Sequence, residues 1–170
     1  FHTNSYVEVT DGSFLNLENV AARSHGGAFV SLGEVEIAGN STVNISNSRA
    51  ESGDGGGFDA EKGLNVSTGS RLIIWNAEAG QHGGGCCAQG RIVISSSTLS
   101  IQDATAQQLG GGLYAYDEIV IDRMSNVSIF SSIAEQGGGF HTNSYVEVTD
   151  GSFLNLEDVA AGSRGGGLGA

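Results

Sequence analysis

The sequence predicts an all-β chain, a parallel β-solenoid of about six coils with three short strands in each. Three observations predict it. Glycine clusters recur every 27–29 residues, apolar residues between them alternate with a period of two, and one line of the text is written twice. A helical solenoid needs a period of 3.6, and a propeller blade needs four strands in about 40 residues. Neither pattern is present.

The clusters close with Gly26-Gly27-Ala28, Gly55-Gly56-Gly57, Gly83-Gly84-Gly85, Gly110-Gly111-Gly112, Gly137-Gly138-Gly139 and Gly165-Gly166-Gly167. Residues 1–170 therefore read as one segment, with coils 1–28, 29–57, 58–85, 86–112, 113–139 and 140–167, and 168–170 opening another. Phe1–Ala22 returns as Phe140–Ala161 with one change, Asn19 to Asp158, a spacing of 139 residues or five coils. With 28 glycines and no proline the chain is neither collagen nor a Pro/Gly linker. The glycines are expected at turns where backbone meets backbone.

Each coil opens with a short strand, Phe1-x-Thr3, Phe29-x-Ser31, Phe58-x-Ala60, Cys86-x-Ala88, Leu113-x-Ala115 and Phe140-x-Thr142. The second strand carries Val7-x-Val9, Val35-x-Ile37, Leu64-x-Val66, Ile92-x-Ile94, Ile119-x-Ile121 and Val146-x-Val148. The third carries Leu15-x-Leu17, Val43-x-Ile45, Leu72-x-Ile74, Leu99-x-Ile101, Val127-x-Ile129 and Leu154-x-Leu156. Alternation of this kind buries one face of each strand. Continuing the parity, Asn19, Asn47, Asn76, Asp103, Ser131 and Asp158 are expected to point inward as a hydrogen-bonding ladder at the strand end. Ala22, Ala50, Ala79, Ala106, Ala134 and Ala161 then mark a corner with room for a methyl only.

The pattern LxIxNxxAxxxGGGxxA, clearest in LIIWNAEAGQHGGGCCA over residues 72–88, resembles the repeats of polymorphic outer-membrane proteins and autotransporter passengers. Those repeats carry GGA followed by a hydrophobic residue, and GGG stands here in most coils. The resemblance covers essentially the whole chain. It implies right-handed coils and a secreted or surface-displayed protein, and as fold-level likeness it implies no activity.

Composition excludes several classes. A net charge of −12, with seven basic residues against nineteen acidic, does not suit nucleic acid. No apolar run approaches the roughly 20 residues of a membrane span. The chain starts without Met and shows no signal peptide, so any targeting segment is expected outside it.

Catalytic chemistry is not expected. A carboxylate pair for glycoside cleavage should break the repeat, whereas Glu8, Glu36 and Glu147 recur in one outward column and Asp59 is read as outward on its own strand. His2, His25, His82 and His141 are read as dispersed surface residues, and no cofactor is expected. Calcium is a weaker alternative at ESGDGGGFDAE, with Asp54, Asp59 and Glu61, because that aspartate does not recur in the other coils. Cys86 is read as a small core residue and Cys87 as outward, either a free thiol, a vicinal disulfide or a link to another chain.

Four N-x-[ST] sequons, at Asn40, Asn44, Asn65 and Asn126, fall at a turn or at outward positions and are candidate N-glycan sites. The chain opens on the core-type Phe1 and stops three residues into a coil, without the caps that close a solenoid. The expectation is a window on a longer extracellular structural fibre that associates end to end. Ile73, Trp75, Val93 and Val120 are candidate lateral contacts. A surface adhesin or carbohydrate-binding passenger is the alternative, and a polysaccharide-active enzyme a distant third.

Overall fold

The computed structural model describes residues 1–169, and its regular structure is entirely β. Three parallel sheets of seven, six and eight strands run along one stack of coils. The first sheet takes His2–Thr3, Phe29–Ser31, Phe58–Ala60, Cys86–Ala88, Leu113–Ala115, Phe140–Thr142 and Leu168–Gly169. The second takes Val7–Val9, Glu34–Ile37, Gly63–Ser67, Arg91–Ser95, Ile119–Asp122 and Val146–Val148. The third takes Phe14–Ala22, Thr42–Ala50, Arg71–Ala79 and Thr98–Ala106. In the last two coils it divides into Asn126–Phe130 with Ile133–Gln136, and Phe153–Glu157 with Ala160–Arg164. Among the described residues no helix is long and apolar enough to cross a membrane.

Each strand pairs with its own equivalent one coil away, so Leu72 lies between Val43 and Leu99. This register puts like on like and fills one continuous core from Val9 to Phe140. Leu72, Ile74, Ile92, Ile94, Leu99 and Ile101 are fully buried, as the alternation requires. Phe1, Phe29 and Phe58 stack face to face at 5.1 and 4.8 Å. The methyl-sized corner is real: Ala79, Ala106 and Ala134 pack as a small separate cluster.

The asparagine column corrects the sequence reading. Asn19, Asn47, Asn76, Asp103, Ser131 and Asp158 all take φ between 50° and 55°. A single left-handed residue reverses the in/out parity of a strand, so these side chains turn outward. The next residues, among them Ser48, Ala77, Ala104 and Ser132, turn in and are buried. Asn and Asp tolerate this conformation better than other side chains. The ladder itself forms on the outside: Asn76 Nδ2 donates to Asn47 Oδ1 at 2.8 Å, and Asn47 Nδ2 to Asn19 Oδ1 at 3.1 Å. It ends at Asp103, whose carboxylate cannot donate and instead accepts from Trp75 Nε1 at 3.1 Å.

A second ladder lies inside. The backbone N–H groups of Ser13, Ser41, Ser70, Ser97 and Ser125 each donate to the serine Oγ one coil on, at 3.0–3.2 Å. It satisfies the N–H groups at the corner between the second and third sheets, where Ser41, Ser70 and Ser125 are wholly buried.

The glycine corner is demanded by backbone proximity. The first glycine of each cluster has positive φ, and a Cβ on Gly55 would sit 2.0 Å from Phe58 O. A Cβ on the second, Gly84, would sit 2.1 Å from Gly111 O of the next coil. No side chain fits either place.

Candidate functional site

The glycine turn doubles back across the outer face of the first sheet. A Cβ on Gly26 would lie 2.7 Å from Val30 Cγ2, and one on Gly137 would lie 3.0 Å from His141 Cβ. From coil 3 onward the outward column of that sheet is therefore covered, which corrects three expectations. Asp59 is 6% exposed, Cys87 is wholly buried and His141 is 7% exposed. Both cysteines are free thiols, so Cys87 is neither in a disulfide nor presented to another chain. Burial, with Asp59 beside it, pushes the Cys87 thiol well above its ordinary range.

The histidines are not all dispersed surface groups either. Stacking brings residues 28 apart together. Asp54 Oδ1 accepts from the His82 backbone N–H at 3.0 Å and lies 2.7 Å from His82 Nδ1, and Asp54 Oδ2 is 4.0 Å from His25 Nε2. Burial alone would raise the Asp54 carboxyl, but the bonds and charge of His82 outweigh it and the net shift is downward. Asp59 has no such partner. Burial and the nearby Asp54 charge push it up to about 6, and its Oδ1 is buried without a hydrogen bond.

His25, Asp54 and Asp59 border an open cleft of about 410 Å³ with His2, Ser24, Leu32, Glu61 and Gln89. The calcium candidates Asp54, Asp59 and Glu61 thus share one cleft. Among the described residues no three His, Cys, Asp or Glu side chains are gathered to hold a metal ion. A second cleft of about 530 Å³ follows the turn into the second sheet, lined by Tyr6, Glu8, Glu34, Glu36 and Lys62 among others.

The candidate glycan sites divide. Asn40 and Asn126 are exposed, Asn40 on a positive-φ turn, whereas Asn44 and Asn65 are half-buried within strands. Asn44 Oδ1 is buried without a partner. The candidate lateral contacts do not form one patch: Ile73 and Trp75 lie on the third sheet, and Val93 and Val120 pair on the second. Only Trp75 of the four is well exposed, at 44%.

The most informative place is the junction of coils 5 and 6, where the duplicated phrase meets a coil of different sequence. Phe140 pairs with Leu113, Val146 with Ile119 and Leu154 with Val127, so all three sheets continue in register. The serine ladder crosses as well, Ser125 N donating to Ser152 Oγ at 3.0 Å. The same phrase appears as coil 1 beneath coil 2, with Val7 on Val35 and Leu15 on Val43. One sequence is thereby seen with its lower neighbour in one copy and its upper neighbour in the other. No family model, curated protein or solved structure matches this chain.

Proposed function

We propose that the chain is part of an extracellular structural fibre in which a five-coil, 139-residue block stacks on copies of itself, with N-linked glycans on its outer faces. The single observation behind this is the duplicated phrase in its two settings. Interfaces 1–2, 2–3, 3–4, 4–5 and 5–1 are all present in one chain, the last as coil 6 on coil 5. A block whose last coil accepts its own first coil in register propagates without closing, the geometry of a filament. Coil spacing supports a scaffold over an enzyme, since equivalent groups on successive coils stay 27–29 residues apart and, among the described residues, no long loop interrupts the stack.

Electron microscopy of a tandem array of the block tests the proposal. Unbranched filaments with an axial repeat of roughly 24 Å, five coils at about 4.8 Å each, are expected. Compact, non-associating particles would defeat it. Asn40 and Asn126 are the sequons a transferase could reach with least disturbance, so intact mass before and after glycosidase should fall on those sites first. The adhesin reading is favoured by one feature, the second cleft with its exposed Tyr6 beside Glu8, Glu36 and Lys62. Binding on a glycan array would favour it over a plain scaffold.

A further inference from the structure

The duplicated phrase sets one histidine in two surroundings. In coil 1 the ring of His2 is exposed, and its Nε2 lies 3.0 Å from Asn4 Oδ1. In coil 6, seated on coil 5, the equivalent His141 is 7% exposed. Its ring stacks on Tyr114, with centroids 5.9 Å apart and planes 12° apart, and Tyr114 stacks in turn on His82 at 5.0 Å. Asn143, the equivalent of Asn4, now donates to the Tyr114 hydroxyl at 3.2 Å. His141 Nδ1 is buried with no hydrogen-bond partner. On the far side a Cβ on Gly169 would come within 2.7 Å of it.

The charged and titratable groups around this ring are few. Tyr114 faces it from coil 5, with His82 beyond and Asp54 bound to His82. Arg164 closes the adjoining corner of the same coil, its carbonyl accepting from Gly137 N–H. Among the described residues His141 makes no ion pair, so no opposite charge beside it compensates a proton on the ring.

We propose that this histidine gates the seating of the duplicated coil on coil 5 by pH, the coil docking with a neutral ring and being loosened by a protonated one. The proposal rests on the block-on-block junction of the previous section and concerns its regulation. Burial pushes His141 down from its ordinary value, Asn143 pulls against that, and the like charge of His82 adds to it. An unseated histidine holds its proton up to about pH 6.5. Seating stability is therefore whole above that value and is lost as pH falls through the lower value of the seated ring. Asp59 titrates in the same window with the opposite sign, because its folded value is raised, so measurements belong in an Asp59→Asn background as well as in the parent chain.

The test uses the full 170-residue chain. Histidine ring resonances are followed against pH by NMR, and hydrogen-exchange protection is compared between coil 6 and coils 3 and 4. His141 should titrate below the ordinary histidine value of about 6.5, and coil 6 should lose about tenfold in protection for each pH unit of that lowering. Coils 3 and 4 should hold, and His141→Gln should flatten the dependence of coil 6 alone. A His141 midpoint at or above about 6.5, or an unchanged pH dependence in His141→Gln, overturns the proposal. If His141→Gln fails to seat coil 6 at any pH, the His141 midpoint of the parent chain decides. Absence of filaments by microscopy would sink the fibre and leave this result intact.

Discussion

Coils 1 and 6 share one sequence and differ in what lies next to them. Phe1 is 61% exposed and its copy Phe140 is 1% exposed. The reverse holds on the second sheet, where Val9 is 8% exposed and Val148 is 41% exposed. Phe140 lies between Leu113 and Leu168, whereas Phe1 stacks on Phe29 from one side only. Val9 pairs with Ile37 and Val148 with Ile121, each on one side only, so on this sheet the two copies differ by which side the neighbouring coil lies on. Apolar alternation thus says which way a side chain points, and the adjoining coils say how much water it loses. The acquired burial also changes chemistry, since the exposed His2 and the enclosed His141 are one residue in two solvents.

The largest separation should come from placing a charge in equivalent core positions. Leu72→Asp puts an unpaired carboxylate at a site that is wholly buried between two coils. It should unfold the middle of the stack, seen as loss of the cooperative thermal transition by circular dichroism. Leu15→Asp, in the same column but half-buried, should leave the central transition in place. Equal damage from both would mean that position in the repeat, and not neighbours, sets burial.

Truncating the two copies of one phenylalanine is the next largest. Phe140→Ala should destabilise coil 6 by about 3–5 kcal/mol, the range for a buried aromatic, and Phe1→Ala by about 1 kcal/mol or less. Hydrogen exchange resolved by coil reads both. Similar values for the two would break the comparison.

Asp59→Asn sharpens it from the side of charge. The Asp59 carboxyl rises from 3.8 to about 6 on folding. A raised folded value means stability that is present below the unfolded value and lost as pH rises through the folded one. At pH 7.5 the Asn variant should therefore be more stable by up to about 3 kcal/mol, at 1.36 kcal/mol per pH unit, and near pH 3 the two should coincide. Urea midpoints at the two pH values would show it, and a destabilised variant at pH 7.5 would refute the unpartnered reading of Asp59.

The smallest effect belongs to the internal ladder. Ser97→Ala removes the oxygen that accepts from Ser70 N–H and should destabilise the stack by about 1–2 kcal/mol. Ser13→Ala should be nearly silent, because its exposed Oγ accepts no backbone bond in coil 1. The ladder was legible, since a serine stands at this place in every coil, but period-two reasoning looks at strands and passes over the residue that precedes one.

By itself the sequence determined the coil length, the three strands, the inward columns and the alanine and glycine corners. These follow from local sterics and from a side-chain period that any parallel pairing of like on like must respect. It did not determine the faces beyond a corner. A single left-handed residue at Asn47 or Asn76 inverts every side chain after it, and strand parity carries no sign of that. Nor did it show that a glycine turn folds over Asp59, Cys87 and His141, or that Asp54 and His82 meet from residues 28 apart. Those are three-dimensional matters: burial and pKa depend on which atoms displace water around a group, and in a stack most of those atoms belong to the next coil.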